Sequence, residues 1–216
     1  MKKAIVIANG DYFKFKNVLQ LQKIGFSDII CADGGANKLI KKSMIPKFII
    51  GDLDSIKAEV LEFYKNKTEV IKISSQDDTD IEKTIKFLMD RNYTELVIIS
   101  ATGERLDHSI GNLSILLKFA DKLNLHLIHG KSILSVITGK VKLKAKKGEV
   151  ISLFAFDDKT KITTKGLMYQ LKNESLTFGK RESISNVATE NTFELSIKNG
   201  FIFIIRDLKY FIKYGN

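Results

Sequence analysis

The sequence predicts an α/β protein: an N-terminal domain with an open, mainly parallel α/β sheet, followed by a C-terminal antiparallel β-sandwich domain. Over the first 130 residues, short apolar runs alternate with helix-like segments, which is typical of strands joined by crossover helices. After Gly130 the runs alternate apolar and polar residues and turns separate them, which is typical of antiparallel sheets. The expected domains are therefore residues 1–130 and 131–216.

Six apolar runs in the first half are expected to be strands. They are rich in Val and Ile and mostly unalternated, as in strands that are buried on both faces of a parallel sheet. The first run follows two lysines, as in a signal peptide, but it is too short and lacks a cleavage site, so we interpret it as a strand. The expected strands are residues 4–8, 28–32, 48–50, 69–73, 96–99 and 125–128.

One helix of the first half has a clear start and a clear apolar face. Ile81, Ile85 and Leu88 lie at i, i+4 and i+7, which places them on one side of a helix over residues 79–91. Thr79 and Glu82 have the spacing of a capping box, so the helix is expected to begin at Thr79.

The second half is expected to consist of strands and turns. The alternation of Val141, Leu143 and Ala145 with lysines predicts a strand with one buried face. An Asn-Gly pair at 199–200 lies between two apolar runs and predicts a hairpin turn. The expected strands are residues 133–138, 141–145, 150–156, 161–164, 168–171, 193–198 and 201–205.

The composition is that of a globular protein without a membrane span. The chain is 44% hydrophobic, and no apolar run approaches the roughly 20 residues that cross a bilayer. The only cysteine, Cys31, cannot form an internal disulfide, which predicts a reducing, cytoplasmic location. The net charge of +10 comes from scattered lysines and is compatible with a small polyanionic ligand. Because no zinc spacing or RNA-binding motif occurs, neither nucleic acid nor membrane is an expected partner.

Acidic and glycine-rich segments follow the expected strands of the first half. Because successive loops of an open α/β sheet converge at the carboxyl ends of its strands, we expect these segments to form one ligand site. A purely structural sheet would not concentrate carboxylates where they repel one another. The segments are residues 9–11, 33–36, 51–55, 76–80 and 101–108.

Asp52 and Asp54 are candidate ligands of Mg²⁺. They are two residues apart, so in an extended segment both side chains point to the same face. Mg²⁺ binds to one or two carboxylates together with water and phosphate oxygens. A polar turn is the alternative interpretation of this pair.

Three further acids lie at the start of the expected helix. Carboxylates there often serve only as caps or partners of the helix dipole, and we interpret Asp78 in this way. Asp80 is the better candidate for a metal ligand or for a contact to an acceptor hydroxyl. Arg105 can clamp phosphate oxygens, and Gly34 and Gly35 would let backbone N–H groups approach a phosphate or an adenosine.

Together these strings resemble the thiamine pyrophosphokinase family, in order and over nearly the whole chain. The acidic motifs are highly specific in combination, and the motifs of the second half are looser. The matching strings are CADGGANKL at 31–39, GDLDS at 51–55, QDDTDIEKTI at 76–85, ATGERLDHSIGNL at 101–113, KGLMYQL at 165–171 and RESISN at 181–186.

The resemblance implies an α/β ATP-binding domain, a β-sandwich thiamine-binding domain, and a homodimer whose active sites lie between subunits. The implied reaction transfers diphosphate from ATP to the hydroxyl of thiamine and releases AMP, with Mg²⁺ as the cation. The implied metal ligands are Asp52, Asp54 and Asp80. The implied catalytic residues are Asp54, Gln76, Asp77 and Asp80. In this reaction a carboxylate can accept the hydroxyl proton, and we expect it to be Asp80 rather than the alternative base His108.

The resemblance also implies two sets of binding residues. For ATP they are Asp33, Gly34, Gly35, Thr79, Thr102, Gly103, Arg105, Asp107 and His108. For the aminopyrimidine of thiamine they are Ser183, Ser185 and Asn186; for Asn186, hydrogen bonding to the backbone of a loop is the alternative.

The chain departs from the family's pattern at a few positions. Ser100 and Glu104 occupy positions where we expect glycine, and Val187 follows Asn186 where bacterial members often carry glutamate. Three other functions stay open: a pyrophosphokinase for another ring alcohol such as a hydroxymethylpterin, a nucleotide-sugar transferase that uses Asp52 and Asp54, and a non-catalytic RNA-binding protein.

Overall fold

The computed structural model describes residues 1–215 and divides into two compact units, Met1–Gly130 and the residues from Lys131 on. The first unit contains six parallel strands in the order β6-β5-β1-β2-β3-β4. All six expected strands are confirmed, with shifts of up to three residues at their ends. Their bounds are β1 Lys2–Ile7, β2 Asp28–Ala32, β3 Phe48–Gly51, β4 Glu69–Lys72, β5 Tyr93–Ile99 and β6 Asn124–His129.

Helices connect these strands. One half of the expected capping box is present: the Thr79 hydroxyl accepts a hydrogen bond of 3.3 Å from the Glu82 N–H, and the helix begins at Asp80. The Glu82 carboxylate pairs with Lys86 and Lys118 instead. No helix among the described residues is long and apolar enough to span a membrane. The helices are α1 Phe15–Lys23, α2 Ala58–Tyr64, α3 Asp80–Met89 and α4 Leu106–Lys118, with 3₁₀ turns at Asp33–Lys38 and Ile40–Lys42.

The centre of the sheet is the place where the order of the strands reverses. β1 pairs with β2 on one side and with β5 on the other, so the chain moves outward from β1 in both directions. Cys31 on β2 is fully buried in this centre. Open α/β sheets bind ligands beyond the carboxyl ends of the strands at such a reversal. The loops after β1 and β5 therefore flank the expected ligand site.

The second unit is an antiparallel β domain. Two long strands, β7 and β11, form a ribbon; the first half of β11 also pairs with β9, and its second half pairs with β8, which pairs with β10. Both halves of the ribbon contribute side chains to one apolar core, among them Leu143, Phe193 and Ile204. The bounds are β7 Ser132–Lys144, β8 Val150–Phe154, β9 Lys161–Lys165, β10 Ser183–Val187, β11 Thr192–Asp207 and α5 Leu208–Tyr214.

The predicted Asn199-Gly200 hairpin is wrong. Residues 193–198 and 201–205 form one strand, because both runs pair with β7 rather than with each other. The pair lies at a bulge, where Asn199 has a φ of +61° and the Thr138 hydroxyl donates a 2.8 Å hydrogen bond to the Gly200 carbonyl. A side chain at Gly200 would collide with Thr160. The Asn-Gly pair thus supplies backbone freedom for a bulge.

Other predictions for the second unit also differ from the structure. Residues 133–138 and 141–145, which were expected as two strands, belong to the single strand β7. Residues 168–171 form a bend and irregular backbone rather than a strand, with Met168 and Tyr169 exposed. The strand β10 was not expected, because Ser183–Val187 has too few apolar residues to show a strand pattern. Its pairing with β8 determines its structure instead.

Candidate active site

A cleft of about 630 Å³ lies at the carboxyl edge of the parallel sheet. The loops after β1, β3, β4 and β5 line it, together with the first turns of α3 and α4. The predicted site residues in its lining are Asp52, Gln76, Asp77, Thr79, Asp80, Thr102, Gly103, Arg105 and His108.

Three carboxylates converge beside this cleft. One oxygen each of Asp33, Asp52 and Asp80 lies within 4.8 Å of the others, and we call these residues the acid cluster. Asp33 is only 1% exposed; its Oδ2 accepts a 2.9 Å hydrogen bond from the Ser55 N–H. Its Oδ1 is buried and has no hydrogen-bond partner among the described residues. Converging carboxylates with one unpartnered buried oxygen fit a hard divalent cation such as Mg²⁺.

Asp33 carries an unfavourable charge in this environment. Burial raises the pKa of Asp33 to about 6; the Ser55 N–H opposes the rise, and the negative charges of Asp80 and Asp54 add to it. At pH 7 the side chain is therefore mostly ionised although it is buried away from solvent. A cation bound at the acid cluster would relieve this cost.

The structure groups Asp33, rather than the predicted Asp54, with Asp52 and Asp80. Leu53 has a φ of +69°, so the segment is not extended, and the expectation that Asp52 and Asp54 share a face fails. Asp54 is exposed, and its Oδ1 accepts a 2.9 Å hydrogen bond from the Ser55 hydroxyl. Asp54 therefore lies at the rim of the acid cluster.

Lys83 is a residue of the site that the sequence analysis missed. Its side chain is 2% exposed, and its Nζ donates to Asp52 Oδ2 at 3.1 Å and to Asp80 Oδ1 at 3.2 Å. Burial alone would lower the pKa of Lys83, but the two hydrogen bonds outweigh burial and raise it. The i, i+3 spacing of Asp80 and Lys83 on α3 is a signal that could have revealed this contact.

Contacts from neighbouring elements hold the loop after β5 in place. Asp11, in the loop after β1, accepts a 3.0 Å hydrogen bond from the Glu104 N–H, and a side chain at Gly103 would collide with the Asp11 carboxylate. Asn112 on α4 donates a 2.6 Å hydrogen bond to the Ala101 carbonyl. Asp11 and Asn112 line the cleft; the sequence analysis placed Asp11 in a segment of the expected site but gave neither residue a role of its own.

Three residues predicted to bind ATP lie at the start of α4. Arg105 and His108 line the cleft, and Asp107 does not. Asp107 binds the Arg105 guanidinium at 2.6 Å, and this hydrogen bond lowers the pKa of Asp107 to about 2. The first turn of α4 has no side-chain cap, so its N–H groups add partial positive charge to this end of the cleft. These features suit a phosphate group.

Gly34 and Gly35 have a packing role. They lie in the 3₁₀ turn after β2, where a side chain at Gly35 would collide with the Ile7 carbonyl and one at Gly34 with Asn9. Both glycines are buried, and neither lines the cleft. Glycine is needed at both positions because this turn lies so close to the end of β1.

The residues predicted to bind thiamine lie on β10 in the second unit. Asn186 is 1% exposed; its amide oxygen accepts from the Tyr169 N–H at 3.0 Å, and its amide nitrogen donates to the Tyr169 carbonyl at 2.7 Å. The same nitrogen also donates to the Ser183 hydroxyl at 3.2 Å. Asn186 thus holds the Tyr169 backbone, as in the alternative to a direct pyrimidine contact. Ser185 is exposed, and its N–H donates to the Ser152 hydroxyl at 3.0 Å.

Ser100, at the end of β5, is a strained residue in the cleft lining. It has a φ of +56°, and its buried hydroxyl has no hydrogen-bond partner among the described residues. We expect Ser100→Gly to raise the Tm by about 3 °C, because glycine adopts this φ without strain and removes the unpaired hydroxyl.

Ser100→Ala is the matched control for this prediction. It removes the hydroxyl but keeps a side chain at a residue with left-handed backbone, so its Tm should rise less than that of Ser100→Gly. Thermal denaturation of the three proteins checks both expectations. A Tm of Ser100→Gly at or below that of the parent would show that neither feature destabilises the fold.

Both units match models of one protein family. Residues 25–128 match the thiamin pyrophosphokinase catalytic domain, and residues 138–202 match the thiamin pyrophosphokinase vitamin B1 binding domain. Thiamine pyrophosphokinase 2 of Oryza sativa subsp. japonica is 30% identical over 73% of this chain and 70% of that protein. Thiamine pyrophosphokinase 1 of Arabidopsis thaliana is 29% identical over 82% of this chain and 76% of that protein.

Solved structures share the fold. A thiamin pyrophosphokinase from Candida albicans superposes with a TM-score of 0.82 at 19% identity, covering 95% of this chain and 89% of that one. The enzyme from Bacillus subtilis gives a TM-score of 0.81 at 22% identity, covering 95% and 99%. The expected α/β domain with a C-terminal β domain and the expected thiamine diphosphokinase activity are thereby confirmed. The chain belongs to the thiamine pyrophosphokinase family.

Proposed function

We propose that the cleft at the carboxyl edge of the sheet is where the diphosphate of ATP is transferred to the hydroxyl of thiamine, with Mg²⁺ as the cation. The hydroxyl oxygen of thiamine bonds to the β-phosphorus, the bond from that phosphorus to the α–β bridging oxygen breaks, and AMP leaves. The hydroxyl proton passes to a carboxylate. The acid cluster, with the unpartnered Oδ1 of Asp33, carries this proposal.

The acid cluster would hold the cation through Asp33, Asp52 and Asp80. When bound, Mg²⁺ neutralises negative charge on the phosphate oxygens. The chain itself contributes mainly positioning, as is usual in phosphoryl transfer. Arg105 and the uncapped first turn of α4 would bind phosphate oxygens at the opposite side of the cleft.

The loop between β4 and α3 would receive the acceptor hydroxyl. Gln76, Asp77 and Thr79 all line the cleft there. Asp80 already accepts a hydrogen bond from Lys83, whereas the Asp77 carboxylate lies outside the acid cluster and accepts a 3.2 Å hydrogen bond from the Ser75 hydroxyl. We therefore favour Asp77 over the expected Asp80 as the acceptor of the hydroxyl proton, because Lys83 and the proposed cation already engage the Asp80 carboxylate.

The second unit would bind thiamine, and a homodimer would bring it to the cleft of a partner subunit. Large apolar side chains are exposed on and near β10; Tyr169 is 65%, Phe178 66% and Ile184 62% exposed. Exposed apolar surface of this kind is typical of ligand or subunit contacts. A cytoplasmic location is supported by the free thiol of Cys31, which needs no oxidising compartment.

The raised pKa of Asp33 gives metal-free stability a definite pH dependence. The folded-state pKa of about 6 exceeds the ordinary value of 3.8, so stability from this group is present at low pH and is lost as the pH rises through about 6. We expect Asp33→Asn to raise the Tm in EDTA by about 3 °C at pH 7.5, and by much less at pH 4.

The same variant should lose most of the stabilisation that Mg²⁺ gives the parent protein, because an amide is a poor cation ligand. Thermal denaturation at both pH values, with EDTA and with Mg²⁺, checks this. A pH-independent difference between Asp33→Asn and the parent would contradict the assignment of the raised pKa to Asp33.

One assay tests the proposed reaction. Purified protein with ATP, Mg²⁺ and thiamine should form AMP and thiamine diphosphate in equal amounts, and EDTA should stop both. Formation of ADP with thiamine monophosphate would contradict diphosphate transfer. A hydroxymethylpterin in place of thiamine should give no AMP, and turnover of the pterin alone would support the alternative pyrophosphokinase.

A further inference from the structure

The acid cluster contains one basic group, Lys83, whose side chain is 2% exposed, whereas its partners Asp52 and Asp80 are 17% and 31% exposed. Lys83 Nζ lies between Asp52 Oδ2, at 3.1 Å, and Asp80 Oδ1, at 3.2 Å. The other basic side chains near the cleft have different partners: Lys38 donates to the Asn9 carbonyl, and Arg105 binds Asp107. Among the described residues, ion pairs to Asp52 and Asp80 come from Lys83 alone.

The acid cluster together with Lys83 carries a net negative charge. Three carboxylates and one ammonium leave two negative charges, which is the charge that one divalent cation neutralises. Without the ammonium, the carboxylates of Asp52 and Asp80 would repel each other and the buried carboxylate of Asp33 across less than 5 Å. Removal of one partner from a buried ion pair is strongly destabilising for this reason.

We propose that Lys83 is a built-in counter-ion of the acid cluster: it holds Asp52 and Asp80 in place when no metal is bound, and it leaves the cluster with the charge of a site for one divalent cation. Lys83 is a positioning residue in this role. The inference rests on the proposed metal site for its second half only, since the first half concerns the metal-free protein.

A matched control lies on the same helix. Lys86, three residues after Lys83 on α3, also pairs with two acids, Asp78 and Glu82. Its side chain is 47% exposed, and it does not line the cleft. Replacement of an exposed lysine of this kind has little effect on stability. Lys83→Met and Lys86→Met therefore remove the same charge and differ in burial.

The decisive measurement is thermal denaturation in EDTA. We expect Lys83→Met to lower the Tm by about 8 °C and Lys86→Met by about 1 °C. Lys83→Arg, which keeps the charge, should lower the Tm less than Lys83→Met does. Asp52→Asn in the Lys83→Met background should restore most of the lost Tm, because it removes the repulsion that the ammonium no longer balances.

Addition of Mg²⁺ provides the second readout. It should raise the Tm of Lys83→Met more than that of the parent, since the cation then relieves an unbalanced repulsion. If Mg²⁺ affects no variant while the pattern in EDTA holds, the counter-ion role is supported and the metal site is overturned.

Two results would overturn the counter-ion role. One is a Lys83→Met protein as stable in EDTA as Lys86→Met. The other is a loss that Asp52→Asn does not restore, which would assign the effect to packing of the lysine stem. If Lys83→Met does not fold, the double variant decides: a folded double variant supports the proposal, and an unfolded one overturns it.

Discussion

Asp80→Asn is expected to lower kcat/KM by about 10³-fold, in the range seen when a preorganised charge-stabilising group is removed from an active site. Asp80 belongs to the acid cluster and accepts a hydrogen bond from Lys83, so its carboxylate would serve both the proposed cation and the lysine. The amide has the same shape but lacks the charge. Helix α3 should persist, because Thr79 and not Asp80 caps it.

Asp78→Asn is the control for this change. Asp78 also lines the cleft at the start of α3, but its carboxylate pairs with Lys86 at 2.7 Å, outside the acid cluster. We expect its kcat/KM to stay within about threefold of the parent, since exposed ion pairs contribute little. Steady-state kinetics and circular dichroism of both variants check the comparison. Equal losses in the two variants would contradict the special role of Asp80.

Mixing two inactive proteins is expected to restore about a quarter of the sites, if active sites are shared across a two-fold dimer. The two variants are Asp80→Asn in the first unit and Asn186→Ala in the second. Asn186→Ala releases the Tyr169 backbone, which Asn186 holds through both its donor and its acceptor. Its defect should appear as a higher KM for thiamine, so activity is measured at low thiamine.

In a mixed dimer with shared sites, one site collects both defects and the other neither. Random exchange makes about half of the dimers mixed, which gives the expected quarter. Co-refolding of the two proteins, followed by activity and by mass spectrometry of the dimers, makes the test. Mixed dimers without regained activity would place each site within a single subunit.

The sequence predicted the first unit well because its signals are local. Buried parallel strands appear as Val- and Ile-rich runs, and the carboxyl-edge loops follow them directly. The choice between Asp33 and Asp54 could not be predicted, because it depends on the left-handed backbone of Leu53. Lys83 was missed because a lysine on an amphipathic helix normally faces solvent, and only the packing of α3 shows that this one is buried.

The second unit was harder to predict because its strands are defined by partners that are distant in sequence. Asn199-Gly200 has the local pattern of a hairpin, yet the pairing of both flanking runs with β7 makes it a bulge. The role of Asn186 depends likewise on Tyr169, a residue 17 positions away that only the fold brings close.

The buried thiol of Cys31 can report local opening of the first unit. Because Cys31 is the only cysteine and is fully buried on β2, a thiol reagent can react only when the first unit opens around it. The second unit contributes no competing signal. The rate of labelling therefore measures how often the first unit opens, and a slower rate in the presence of ATP or thiamine would show which substrate stabilises its closed form.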